Sequence, residues 1–237
     1  MNIQKLLATL LGLSFLTGCG GKPDLASAKP DPATEAFEKG GAAFGRGELD
    51  SAIAYFTEAI RLKPDYAEAY NHRSVAYGMK GELDKVIAGC TEVIRLKPDY
   101  AESYYNRGYA SGLRGDLDKA IADCTEAIRL KPDYAAAYGY RGNAYSDKGE
   151  LDKAIADYSE VIRLNPKLAQ AYNNRGIAYR QKGDFDKAIA DYSEAIQIKP
   201  DYTNAYYNRG VAYKKKGEKS KAEEDFAQAR KLGYKPE

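Results

Sequence analysis

An all-α solenoid of six helix-turn-helix units is the fold that this 237-residue sequence predicts. Three observations carry the prediction. Pro64, Pro98, Pro132, Pro166 and Pro200 stand 34 residues apart. Gly47, Gly81, Gly115, Gly149, Gly183 and Gly217 keep the same period. The phrase Ile-Arg-Leu-Lys-Pro-Asp-Tyr occurs at 60–66, 94–100 and 128–134, with close variants at 162–168 and 196–202. A fixed period of this length marks an array in which each unit buries its apolar face against the next.

Composition narrows the function classes. A hydrophobic share of 44% supplies a core and excludes a disordered chain. The 36 Lys+Arg against 34 Asp+Glu leave a net charge of +2, so there is no basic surface for nucleic acid. One His and three Cys leave little for a zinc site, which usually needs four such ligands, and leave His72 alone for any His-dependent triad. Walker-type, G-x-S-x-G and H-E-x-x-H motifs are absent. The Glu/Asp-Leu-Asp-Lys stretches lack the alternating Asp/Asn and central Gly of a calcium loop. The expectation is a protein that is not an enzyme and takes neither metal nor cofactor.

The elements follow in chain order. Residues 1–18 read as an address: a short polar start with one Lys, then the apolar run Leu6–Leu16, too short to span a bilayer but right for a secretory signal. Leu16-Thr17-Gly18-Cys19 resembles the lipobox of bacterial lipoproteins at all four positions. The resemblance implies cleavage after Gly18 and diacylglyceryl transfer to the Cys19 sulfur, with acylation of the new amine. Two or three acyl chains anchor a protein without a transmembrane helix. Gly20, where Asp would signal retention, points in enterobacterial-type sorting to the outer membrane, facing the periplasm, over the inner one. Residues 19–32, the lipidated Cys and then a Gly-, Pro- and Ala-rich stretch, read as a tether reaching at most about 45 Å.

Residues 33–236 divide into units 33–66, 67–100, 101–134, 135–168, 169–202 and 203–236. In the fourth, Ala135–Lys148 and Leu151–Leu164 are both Pro-free, Gly149 breaks between them, and Asn165-Pro166 ends the second helix. Tyr138, Gly142 and Tyr145 share one helical face, as do Ala154, Tyr158 and Val161. The end units differ. Ala36, Lys39 and Ala43 replace Tyr, Arg and Tyr in the first; Lys219, Glu223 and Arg230 replace apolar residues in the last. Polar ends of this kind cap an array, and the reading is a complete set of six.

At these residues the chain resembles the tetratricopeptide repeat family. The fifth unit shows its pattern in Tyr172, Gly176, Tyr179, Ala188, Tyr192, Ala195 and Pro200, with Arg175 at the place usually held by Leu. The resemblance covers about 86% of the chain, 204 of its 237 residues. It implies a right-handed α-solenoid whose first helices line a concave groove.

Several side chains invite chemistry. Cys90 and Cys124 hold core places in units two and three, where other units have Phe or Tyr. Neighbouring stacked units put equivalent Cα atoms about 8–10 Å apart, beyond disulfide reach, so buried thiols are expected. The recurring Arg of each first helix meets an Asp in the second at Asp123, Asp157, Asp191 and Asp225, which reads as an intra-repeat pair; a ligand-binding Arg ladder is the sharper alternative.

The groove places implied by the resemblance include Asn71, His72, Val75, Gly78 and Met79 in unit two, and Tyr105, Asn106, Tyr109 and Leu113 in unit three. They continue with Tyr140 and Asn143, then Asn174 and Arg180, then Tyr207, Asn208, Lys214 and Lys215. The tyrosines offer flat amphipathic contacts, and the asparagines can pair with a peptide backbone. The stretch from Asp201 to Glu237 has nine Lys/Arg and six Asp/Glu, which suits an acidic segment. The carboxylate clamp of chaperone-binding members is missing, with Phe37 and Gly41 at its first places. The expected function is a monomeric, lipid-anchored scaffold or adaptor of the bacterial cell envelope, binding a protein or peptide in its groove and assisting assembly of an envelope complex. The alternative is a small-ligand envelope receptor using the tyrosine-lined middle of the groove.

Overall fold

The structure, a computed structural model, describes residues 31–235. Cys19, the lipobox and the tether therefore lie outside the described residues. Among those described there are twelve helices and no strand. They fall into two compact units, one ending at Lys131 and one beginning at Pro132.

The first unit holds α1 (Pro32–Gly45), α2 (Leu49–Leu62), α3 (Ala67–Met79), α4 (Leu83–Leu96), α5 (Ala101–Leu113) and α6 (Leu117–Leu130). The second holds α7 (Ala135–Asp147), α8 (Leu151–Leu164), α9 (Ala169–Gln181), α10 (Phe185–Ile198), α11 (Thr203–Lys216) and α12 (Lys219–Lys231). Within each unit every helix packs on the next in sequence. Each unit is thus three consecutive helix pairs, and each pair occupies one 34-residue period.

The punctuation explains the bounds. A glycine such as Gly149 sits at φ +76 between the helices of its pair, a conformation that L side chains rarely adopt. The second helix of a pair stops because the residue before proline is pushed out of the helical region. Lys63, ahead of Pro64, has φ −135 and ψ 91. At the helix starts, the side chains of Asp116 and Asp184 accept hydrogen bonds from the backbone N–H of Lys119 and Lys187.

Small residues let the helices of a pair approach. A Cβ at Gly176 would lie 2.7 Å from Cε1 of Tyr192, so only glycine admits that ring. The core of the second unit is built from such contacts, with Ala188, Tyr192 and Ala212 forming one cluster and Ala154, Tyr158 and Ala178 another. The first unit has Phe56 against Ala43 and Ala52, then Val86 and Cys90 against Ala110. Cys90 and Cys124 are both buried thiols, 0% exposed, with no disulfide. At the far end, Glu223 and Arg230 face solvent, the polar termination that their sequence places suggested.

Charge pairs stitch the repeats. Arg107, Arg141, Arg175 and Arg209 each grip one carboxylate with two nitrogens: Asp123, Asp157, Asp191 and Asp225. For Arg175 these bonds are 2.9 and 2.8 Å. The Arg side chains keep 15–24% of their exposure and the Asp side chains 6–12%. The intra-repeat reading of these arginines therefore holds. Lys80–Asp50 and Arg114–Asp84 join adjacent pairs in the first unit, and Lys182–Asp152 and Lys216–Asp186 do so in the second.

Candidate functional site

Helix α3, and helix α5 on the side away from its Arg107–Asp123 pair, each offer one face. In the first unit these faces, with the start of α4, enclose a half-open cleft of about 440 Å³. Val75, Met79, Leu83, Val86, Tyr109 and Leu113 supply its apolar walls. Gly78 keeps it open, because the nearest side chain to a Cβ there is Val86 at 3.6 Å. Leu113 is 52% exposed, an apolar side chain held out at the mouth. Asn106 also lines the cleft; it is 3% exposed, and its carboxamide oxygen has no hydrogen-bond partner. A buried acceptor without a donor costs about 1–3 kcal/mol.

The remaining expected groove residues divide. Tyr109 lines the cleft and is half-buried, and burial raises its phenol pKa. Tyr105 departs from the expectation: at 1% exposed it is among the largest fully buried side chains and offers no surface to a partner. In these repeats Cys90 and Cys124 take core places that hold rings elsewhere, and Tyr105 is itself a fully buried ring. Asn106 is buried too, its carboxamide oxygen included, so a partner reaches that oxygen only when the cleft opens over it. His72 is held at the first repeat: its Nδ1 donates to the Glu68 carbonyl oxygen at 2.8 Å, and its ring meets Phe37 edge-on at 5.0 Å. The Asn71 carboxamide oxygen is buried without a partner, beside Glu68, Val93 and Tyr100.

In the second unit the asparagines hydrogen-bond to one another. Asn208 Nδ2 donates to Asn173 Oδ1 at 3.0 Å, Asn173 Nδ2 to Asn174 Oδ1 at 3.4 Å, and Asn174 Nδ2 to Asn143 Oδ1 at 3.4 Å. The Tyr158 hydroxyl closes the ladder on Asn143 Oδ1 at 2.8 Å. The physical reason is the stacking itself, which brings the fifth, sixth and ninth places of neighbouring first helices within carboxamide reach. Tyr140 is half-buried on α7.

Tyr207 is stacked on Tyr234, with centroids 4.2 Å apart and planes at 18°, so the end of the chain covers one of its faces. Arg180 lies beside the buried Tyr192 hydroxyl, which burial pushes up to about 12 against the pull of that guanidinium. Lys214 and Lys215 are exposed on the last turn of α11, while Lys216 is engaged by Asp186 and Glu218. Among the described residues no three His, Cys, Asp or Glu converge as metal ligands.

The sequence reading weighted tyrosine and asparagine and passed over the apolar walls. Val75, Met79 and Leu113 were among the groove places, yet Leu83 and Val86 come from α4 and were missed. The signal was the last two groove places of two adjacent repeats, Gly78-Met79 and Gly112-Leu113, uncharged where repeats 5 and 6 have Arg180-Gln181 and Lys214-Lys215.

The comparisons with known proteins agree with the repeat. A profile described as TPR repeat matches residues 40–81, 142–183 and 176–217. Two described as tetratricopeptide repeat match 101–134 and 203–232. A crystal structure of MamA protein is 28% identical, with TM-score 0.69, over 73% of this chain and 94% of that one. YrrB, described as a TPR protein with an unusual peptide-binding site, is 23% identical with TM-score 0.66 over 74% of this chain and 90% of its own. A tetratricopeptide repeat protein from Parabacteroides merdae reaches TM-score 0.74 at 19% identity, over 86% of this chain and 81% of that one. No curated protein matches the sequence. With its helix pairs, its period and these matches, the chain is an all-α solenoid protein and belongs to the tetratricopeptide repeat family.

Proposed function

We propose that the chain is an adaptor that holds an extended segment of another polypeptide in the cleft between α3, α4 and α5, with an apolar side chain of that segment seated on Val75, Met79 and Leu113. The carrying observation is the pairing of that apolar cleft with one buried, unpartnered acceptor, the Asn106 carboxamide oxygen. An extended peptide brings both complements, a side chain and a backbone N–H beside it. A donor meeting that oxygen removes a penalty of about 1–3 kcal/mol. YrrB is described as binding peptide; its likeness to this chain is one of fold, and the reading rests on this chain's own cleft.

The adaptor role is a binding role, without catalysis. We place it at a lipid anchor on Cys19 in the bacterial cell envelope, on the strength of Leu16-Thr17-Gly18-Cys19 and the apolar run before it. Among the described residues no helix is long and apolar enough to cross a membrane. In this reading the anchored chain presents its cleft to a partner of an envelope complex, and the exposed Lys214 and Lys215 favour an acidic one.

A small-ligand receptor is the second reading, because about 440 Å³ lies within the range of small-molecule sites. Such sites set a few placed polar groups among apolar walls; of the polar side chains here, Ser74 is spent on the Tyr70 carbonyl oxygen and Lys80 on Asp50.

The test is selection of a random 12-residue peptide library on the wild-type chain and on Leu113→Asp. Leu113 is exposed enough for the variant to fold. Peptides sharing an apolar anchor, and losing at least tenfold in affinity on the variant, bear the proposal out. Peptides that bind both chains equally overturn it. The anchor is tested separately by Cys19→Ser, which releases the chain from the membrane fraction if the lipobox reading is right.

A further inference from the structure

Repeat 3 lacks a ring that repeats 2, 4, 5 and 6 possess. Their tyrosines at the eleventh place are Tyr77, Tyr145, Tyr179 and Tyr213; in repeat 3 the residue is Ser111. In each of those four, a lysine from the second helix stands over the tyrosine: Lys85 at 4.8 Å, Lys153 at 5.1 Å, Lys187 at 5.3 Å and Lys221 at 5.4 Å from the ring centroid. In repeats 4, 5 and 6 the recurring arginine also stands by the same ring, Arg141 at 5.9 Å, Arg175 at 6.0 Å and Arg209 at 6.0 Å from its centroid. Each of these three rings therefore has two cations within 6.0 Å of its centroid.

Repeat 3 keeps the cations and loses the ring. Arg107 is fixed by its two bonds to Asp123 and by Thr91 Oγ1, and it still carries the Tyr104 ring at 5.6 Å. Lys119 holds Asp116, as the sister lysines hold their acids three residues before. Between them is a cavity of about 560 Å³ with Ser111, 3% exposed, in its wall. Ser111 shares the cavity with Arg107, Lys119, Thr91 and Arg114. No residue of this cavity belongs to the adaptor cleft, which lies on another face of α5.

We propose that this cavity is a binding site for a monocyclic phenol, which takes the place that the tyrosine ring fills in the sister repeats. The frame is preorganised: the Arg107–Asp123 pair is the same as in repeats 4 to 6, so binding requires no rearrangement of the cations. The ligand chemistry is that of a tyrosine side chain, borne by a partner polypeptide or present as a free small molecule. The site stands independently of the adaptor cleft.

The experiment titrates the full chain with p-cresol and, as a shape control without a π face, with 4-methylcyclohexanol, reading backbone amide shifts by NMR. The expected result is saturable shifts at Arg107, Ser111 and Lys119, with p-cresol bound about 5- to 30-fold more tightly than the control, from two cation–π contacts. Ser111→Tyr, which restores the sister ring, abolishes the shifts. Lys119→Met, a surface change that leaves the fold alone, reduces the preference for p-cresol about threefold or more. A third titration with N-acetyl-tyrosinamide separates the sources: binding of it as well assigns a peptide-borne tyrosine, and binding of p-cresol alone a free phenol. Absence of saturable shifts with p-cresol, equal binding of the cyclohexanol, or shifts that persist in Ser111→Tyr overturns the proposal.

Discussion

Repeat 2 is the natural exception to the Arg–Asp pairing, and it yields the sharpest energetic prediction. Where repeats 3 to 6 have Gly in the first helix and Asp in the second, repeat 2 has Ser74 and Gly89. The side chain has moved from one helix to the other. Ser74 is 2% exposed and donates to the Tyr70 carbonyl oxygen at 2.8 Å, and Arg73 is left with Thr57 Oγ1 at 3.1 Å. A Cβ at residue 89 would lie 2.0 Å from Ser74 Oγ and 3.3 Å from Ser74 Cβ. Gly89→Asp therefore forces Ser74 to rotate, which breaks its bond at a cost of about 1 kcal/mol, and leaves crowding worth about 1–2 kcal/mol. We expect a loss of about 2 kcal/mol. Ser74→Gly alone loses the same bond and adds a helical glycine, about 1.5 kcal/mol in all.

The double variant removes the clash and lets Arg73 grip the new carboxylate as Arg175 grips Asp191. Additivity predicts a loss of about 3.5 kcal/mol; the geometry predicts 1 kcal/mol or less, hence a coupling of about 2–3 kcal/mol. Thermal unfolding followed by circular dichroism reads this directly. At about 2–4 °C per kcal/mol for a chain of this size, Gly89→Asp lowers the midpoint by about 4–8 °C and the added Ser74→Gly restores most of it. A double variant that melts where the two single losses sum would refute the reciprocal packing of Ser74 and Gly89.

Asp191→Ala strands Arg175, whose side chain is 20% exposed, and a loss of about 2–3 kcal/mol is expected by urea unfolding; a change under 0.5 kcal/mol would show the pair to be idle. Gly176→Ala and Gly41→Ala differ in sign: the first puts a Cβ 2.7 Å from the Tyr192 ring and costs about 1–3 kcal/mol, while the second meets nothing within 4 Å and gains about 0.5–1 kcal/mol. Equal effects at the two sites would contradict the packing. Burial pushes the Cys90 thiol up to about 12, against about 8.5 in the unfolded chain. A folded value above the unfolded one gives stability that is whole below about pH 8.5 and lost as pH rises towards 12. The fall of the urea midpoint between pH 8 and 11 is accordingly shallower in Cys90→Ala than in wild type; parallel curves would mean that the thiol is not held in the core. Glu223→Ile with Arg230→Ile exposes an apolar end on α12 and produces oligomers in sedimentation, whereas unchanged sedimentation would count against the polar cap.

The fold was legible because each structural decision is repeated. The prediction for α8, Leu151–Leu164, coincides with the helix, and that for α7 overran by one residue. Gly at a positive φ and Pro after the second helix act through backbone sterics alone, and a linear sequence displays both. The Arg–Asp pairs were legible for the same reason, a fixed offset of 16 residues.

The site was less legible, because what differs there is relative to the neighbours and not to the pattern. Tyr105 occupies a groove place and still turns inward, where Cys90 and Cys124 stand at places that hold rings elsewhere. The asparagines of the second unit look like a row of spare amides in sequence, and only stacking shows that Asn208, Asn173, Asn174 and Asn143 satisfy one another. Tyr207 loses one face to Tyr234, a residue past the last helix that no periodic argument reaches.

The most direct test of the adaptor account is methyl-resolved NMR of the chain with a peptide selected on the wild type. The account predicts that methyl shifts concentrate on Val75, Met79, Val86 and Leu113, and that the Asn106 side-chain amide moves with them as its carbonyl oxygen gains a donor. Shifts confined to the second unit, or methyls of the cleft unmoved at saturation, would contradict it.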